Sequence, residues 1–139
     1  MSREIPIRPK KVILECGCGR PEALRAALPE TGFEVVSCAT PESLLENSLQ
    51  RAPDLILYQL GFGPRVDSGV LRLLRRAYPD APLVVVSQES SLDAQRWIQE
   101  FRPVSFLVQP VEVTELRDVA LAVIAKQGAR PRVAANRRG

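Results

Sequence analysis

Histidine is absent from all 139 residues. That single absence removes Ser-His-Asp and Cys-His catalysis, phosphohistidine transfer and most zinc chemistry. Cysteine is scarce and odd in number, at Cys16, Cys18 and Cys38, and the opening MSREIPIRPKK lacks the apolar stretch and small-residue cleavage site of a secretory signal. A disulfide framework is therefore not expected; reduced thiols and a cytoplasmic address are. No apolar run approaches the roughly 18 residues that a membrane span requires. Acidic residues are missing from 126–139, which hold Lys126, Arg130, Arg132, Arg137 and Arg138. The overall charge of +3 thus splits into a basic tail and a body of 14 basic and 16 acidic groups.

What is present is enough for one domain with a core of its own. Five short runs rich in branched residues read as strands: VILEC (12–16), FEVVSC (33–38), LILYQL (55–60), LVVVS (83–87) and VSFLVQ (104–109). The third and fourth are apolar almost without alternation, as strands of a parallel sheet covered on both faces should be. Between the strands lie helix signals. Thr40 and Pro41 form an N-cap and first helical position, with Leu44, Leu45 and Leu49 as one apolar stripe. The next helix is expected to begin at a capping Asp67 or Ser68, after the loop GFGPRVD, and to stop before Pro79. Ala94, Trp97, Ile98 and Phe101 make a third stripe. Leu116, Val119, Ala120, Val123 and Ile124 make a fourth, in a helix expected to close at Gly128. The first helix, around PEALRAA, is short because Pro29 ends it. Strand and helix alternate five times with short connections, which gives a doubly wound α/β domain over 10–127 and a basic flexible tail or linker over 128–139. In such folds ligands sit beyond the carboxyl ends of the strands.

On APDLILYQLG, APLVVVSQES and FLVQPVEVTEL, in that order and spacing, the chain resembles a response-regulator receiver domain across about residues 10 to 127. The resemblance implies a flavodoxin-like five-stranded parallel sheet in the order 2-1-3-4-5, and a cis peptide between Gln109 and Pro110. It also implies a pocket in which an aspartate takes a phosphoryl group, an acidic pair holds Mg²⁺, and a lysine and a hydroxyl steady the phosphoryl oxygens. Carried onto this sequence, the acceptor falls on Gln59, the acidic pair on Cys16 and Gly17, the lysine on Gln109 and the hydroxyl on Ser87. Only the hydroxyl is of the right type. An amide nitrogen is too weak a nucleophile to replace a carboxylate, a thiol and a glycine offer a hard cation no side-chain oxygen, and Gln109 cannot neutralise phosphoryl charge. The expectation is a degenerate receiver with no catalytic residue, no metal and no cofactor, in which neutral Gln59 fills the pocket and bonds Ser87 or backbone groups.

The same resemblance places a switch aromatic at Phe106 and a partner face on helix four, strand five and helix five, with Trp97, Phe106 and Leu116 as its residues. The expected function is a non-phosphorylatable signalling module that binds protein partners, either a scaffold, a localising device or a homodimer through that face. Two alternatives are a phosphorylatable receiver with displaced ligands such as Glu15 or Asp67, or a thiol sensor built on Cys16, Cys18 and Cys38. A third is the regulatory domain of a DNA-binding regulator; the tail arginines alone, without interleaved aromatics, give no specific nucleic-acid binding. GFGP carries no further glycine or Lys-Ser/Thr pair and is read as a turn.

Overall fold

In the computed structural model, residues 10–17, 20–29, 32–88 and 92–129 are described, the last two for backbone only. Cys18 and the tail arginines lie outside the described residues. The chain alternates β1 (Lys11–Cys16), α1 (Pro21–Ala27), β2 (Phe33–Cys38), α2 (Pro41–Gln50), β3 (Leu55–Gln59), α3 (Pro64–Ala77), β4 (Leu83–Ser87), α4 (Leu92–Ile98), a 3₁₀ turn (Gln99–Phe101), β5 (Ser105–Val108) and α5 (Val113–Ala129). The five strands form one parallel sheet in the order β2-β1-β3-β4-β5, as expected. The Gln109–Pro110 peptide is cis, also as expected.

Two apolar layers flank the sheet. Leu14, Cys16, Ile56, Tyr58 and Val85 face one layer, closed by Leu44 of α2, Leu71 and Leu74 of α3, and Ile98 and Phe101. Ile13, Leu55, Leu57, Val84 and Val86 face the other, closed by Leu24 of α1 and by Leu116, Ala120 and Ile124 of α5. This assignment to opposite faces follows from the period of two along each strand. Each large aliphatic side chain so buried contributes about 1.5–3 kcal/mol relative to exposure. Among the described residues no helix is long and apolar enough to cross a membrane.

Caps and clamps set the register. The Thr40 hydroxyl accepts from the Ser43 amide at 3.1 Å, with Pro41 opening α2, as the sequence indicates. Asp54, at the amino end of β3, accepts from the Val12 amide at 2.7 Å and ties β3 to β1. Arg75 of α3 donates to the carbonyls of Phe101, Ala81 and Arg102 at 2.8, 2.5 and 3.0 Å, fastening the approaches to β4 and β5 under the helix.

Four expectations are corrected. Helix α3 starts at Pro64 rather than at Asp67 or Ser68: Gly63 has φ 100°, a value glycine adopts without penalty, and Pro64 then serves as the first helical residue. Leu49 is 80% exposed, outside the stripe assigned to it, and Ser48 takes the inward position. The fourth helical segment tightens into a 3₁₀ turn at Gln99, where Arg102 adopts φ 53°. Helix α5 does not close at Gly128 but continues through Ala129.

Candidate functional site

The carboxyl ends of β1, β3, β4 and β5 bring together Cys16, Gly17, Gln59, Ser87 and Gln109. Register places Gln59 against Val86, and the Gln109 amide donates to the Ser87 carbonyl at 2.8 Å, so the tips of β3, β4 and β5 meet in sequence. Gly17 follows β1 with φ 80°, and a Cβ added there would lie 3.3 Å from the Gln59 Cβ and 3.7 Å from the Phe62 ring. The β1 tip therefore runs close over Gln59 beneath an aromatic side chain. A larger residue at 17 would meet both strain and contact.

Gln59 finds its partner in Gln109. The Gln109 Nε2 donates to Gln59 Oε1 at 3.0 Å, and the Gln109 carbonyl oxygen accepts from the Val111 amide at 2.9 Å. One amide side chain thus stitches the β3 tip to the turn entering α5. The expected partner of Gln59 was Ser87 or backbone. A glutamine can donate and accept at once, which lets position 109 hold both neighbours without carrying charge.

The described side chains at this tip do not fit Mg²⁺. Cys16 is fully buried, and burial followed by the neighbouring Cys38 pushes its thiol up to about 12. It is an unfavourable thiolate and no hard ligand. Gly17 has no side chain, and the Gln59 carbonyl oxygen is already engaged. The displaced acids do not converge either. Glu15 lies in register with Ser37 and Leu57, on the α1/α5 face, where the Ser37 hydroxyl donates to its carboxylate. Asp67 packs on the opposite face, accepting from the Tyr58 hydroxyl at 2.6 Å and the Gly61 amide at 3.2 Å. Asp67 is no loop ligand: it sits in the first turn of α3 and is 2% exposed. Among the described residues no group of three or more His, Cys, Asp or Glu side chains is arranged to hold a metal.

The Asp67–Tyr58 pair was not anticipated from the sequence. A tyrosine inside the aliphatic run LILYQ carries a hydroxyl that needs a partner once buried, and the nearest downstream carboxylate, nine residues on, supplies it. Burial, then the hydrogen bond and charge of Asp67, raise the Tyr58 hydroxyl above its ordinary range. The pair also fixes the β3–α3 loop through Gly61, bringing Phe62 within 6.5 Å of the Tyr58 ring.

Cys16 and Cys38 stand in register on adjacent strands, both buried and free. Burial raises the Cys38 thiol as well, although hydrogen bonds from Ser43 and Asn47 oppose it. Phe106 is half-buried against the α2/α3/α4 layer, and Trp97 packs there too, edge-on to Phe101 at 6.3 Å. Leu116, expected on the partner face, is buried within the chain. It is 7% exposed on the sheet side of α5, within the other layer. A cavity of about 200 Å³ opens beside Gln109, lined by Arg20, Val86, Val111 and Glu112 among others. Larger hollows of about 440 and 470 Å³ lie away from these residues, against β2 and at the amino end of β4.

No protein-family model matches the chain. The luminescence regulatory protein LuxO of Vibrio campbellii is 27% identical over 93 residues, covering 67% of this chain and 20% of that protein. The chain thus spans about a fifth of the length of these curated relatives. Among solved structures, a CheY-like response regulator receiver domain protein from Methanospirillum hungatei superimposes with a TM-score of 0.75 at 17% identity, covering 86% of this chain and 98% of that one. The signal receiver domain of a Luxo repressor protein from Vibrio parahaemolyticus gives a TM-score of 0.73 at 11% identity, covering 86% and 94%. With the sheet order and these likenesses in agreement, the chain has the fold of a response-regulator receiver domain.

Proposed function

We propose that this chain is a receiver-type signalling module that takes no phosphoryl group at residue 59 and acts in the cytoplasm by binding other proteins. The observation that carries the reading is the 3.0 Å bond between Gln109 Nε2 and Gln59 Oε1, two neutral amides where phosphotransfer needs a carboxylate and a cation. Among the described residues no acids converge on these tips for Mg²⁺, since Glu15 and Asp67 lie on opposite faces of the sheet. A pocket without a chemical input has no phosphoryl-driven population shift, so its binding surface is constitutive. The test is incubation with a small-molecule phosphodonor, with and without Mg²⁺, followed by intact mass. The expected spectrum is unchanged. A Mg²⁺-dependent gain of one phosphoryl group would sink the proposal.

One observation favours a second reading, a regulatory domain within a longer regulator: the chain matches only 20% of the length of relatives named as regulatory proteins. In that reading the bases are read elsewhere, so sequence-dependent retention on DNA by this chain alone would count against it.

A further inference from the structure

The surface of α2 and α3 carries a feature that neither the pocket nor the core accounts for. Leu49 on α2 is 80% exposed, and Leu73 and Val66 on α3 are 51% and 47% exposed. Val66 and Leu73 are seven residues apart and share one side of α3, and the Tyr78 hydroxyl at the end of that helix donates to the Ser48 carbonyl beside Leu49. The two helices follow strands of one parallel sheet, so they run in the same direction with their carboxyl ends brought together at this contact. The three apolar side chains therefore border one groove.

The charges on either side of the groove are opposite. Helix α2 carries Glu42 and Glu46 and no basic residue; α3 exposes Arg65, Arg72 and Arg76, while its acid, Asp67, is buried. Arg72 is turned away toward Glu100 at 3.3 Å. Among the described residues Glu42, Glu46, Arg65 and Arg76 form no ion pair. An acidic helix and a basic helix lie side by side, each unsatisfied, around exposed leucines.

From this we infer that the α2–α3 face is a self-complementary docking surface for a second copy of this chain. A two-fold axis running along the groove lays the acidic α2 of each copy over the basic α3 of the other, in both halves at once. Because such an axis keeps all four helices parallel, it sets Glu46 level with the partner's Arg76 and draws Leu49, Leu73 and Val66 of both copies into one apolar seam along the axis, with the charges at the rim. This surface differs from the face of helix four, strand five and helix five expected from the family resemblance. It is also independent of whether residue 59 accepts a phosphoryl group, because the measurement uses no phosphodonor.

Sedimentation of the full chain across micromolar to millimolar concentrations tests it, with circular dichroism to verify the fold of each variant. A reversible dimer is expected, weakened about tenfold or more in dissociation constant by Leu49→Glu or Leu73→Glu. Both sites are already solvent-exposed, so folding is retained. Glu46→Arg alone weakens the dimer, and adding Arg76→Glu restores it. A monomer at every concentration overturns the inference, leaving the face to a different partner. A dimer indifferent to Leu49→Glu and Leu73→Glu but lost on Val108→Glu, at the β5 edge, overturns it equally.

Discussion

Residue 109 holds the candidate site in its neutral form, because its single amide bonds Gln59 on one side and Val111 on the other. A lysine there could still donate to Gln59, but it has no acceptor for the Val111 amide. Gln109→Lys is therefore expected to lower stability by about 1 kcal/mol, the net value of one partly buried hydrogen bond. Combining it with Gln59→Asp adds an ion pair to the same geometry and should recover part of that loss. Urea unfolding of the two single variants and the double variant measures the coupling as a cycle. Additive losses would mean that residues 59 and 109 do not act as a pair. The sequence located both residues at strand tips and fixed their neutrality. It did not show that they bond each other, since that depends on how two flexible side chains are oriented once β3 and β5 are brought to either side of β4. The role of Asp67 is hidden from the sequence for a related reason: it follows from Tyr58 facing α3, a tertiary fact invisible in local spacing.

Whole elements were legible where one force dominated. β2 and β4 match their expected spans, because short runs rich in branched residues and bounded by turn residues leave little choice. Helix α3 was misplaced by three residues because GFGP reads as a turn, while the left-handed Gly63 and Pro64 together open a helix. Leu49 was misassigned because stripe counting ignores which sector of α2 faces the sheet; it lies 100° around the helix from buried Ser48. Arg75 shows how an element can be held by a residue that no pattern marks. Its guanidinium satisfies carbonyls of three residues beyond the helix, Ala81, Phe101 and Arg102, and desolvation by burial lowers its affinity for the proton. Lysine cannot reproduce that planar fork. Arg75→Lys is expected to destabilise by about 2 kcal/mol, through carbonyls left unsatisfied at the ends of the 3₁₀ turn and before β4. Hydrogen exchange should rise first in residues 81–84 and 101–106. Uniform acceleration across all five strands would assign Arg75 a general role instead.

On the scale of the whole molecule, the buried face of the sheet stores groups that are neutral when protonated. Cys16, Cys38 and Tyr58 all point into the α2/α3/α4 layer, and burial raises all three above their ordinary values. The unfolded chain releases the Cys16 proton near the ordinary value of 9.0, whereas the folded chain keeps it to about 12. Unfolding then frees a proton that folding retains, so this contribution to stability is complete below pH 9 and declines as pH rises through that window. The slope approaches about 1.4 kcal/mol per pH unit for each such group. Urea midpoints measured under reducing conditions from pH 8 to 11 should fall, and the fall should be shallower in Cys16→Ala by close to one proton. The direction also bears on the thiol-sensor alternative, since a thiol kept protonated and buried is a poor nucleophile. Cys16 and Cys38 should resist alkylation in the folded chain at neutral pH and react only once urea opens the layer. A midpoint independent of pH, or Cys16 alkylated as fast as a free thiol, would mean that the layer between β1 and α2 is open to solvent.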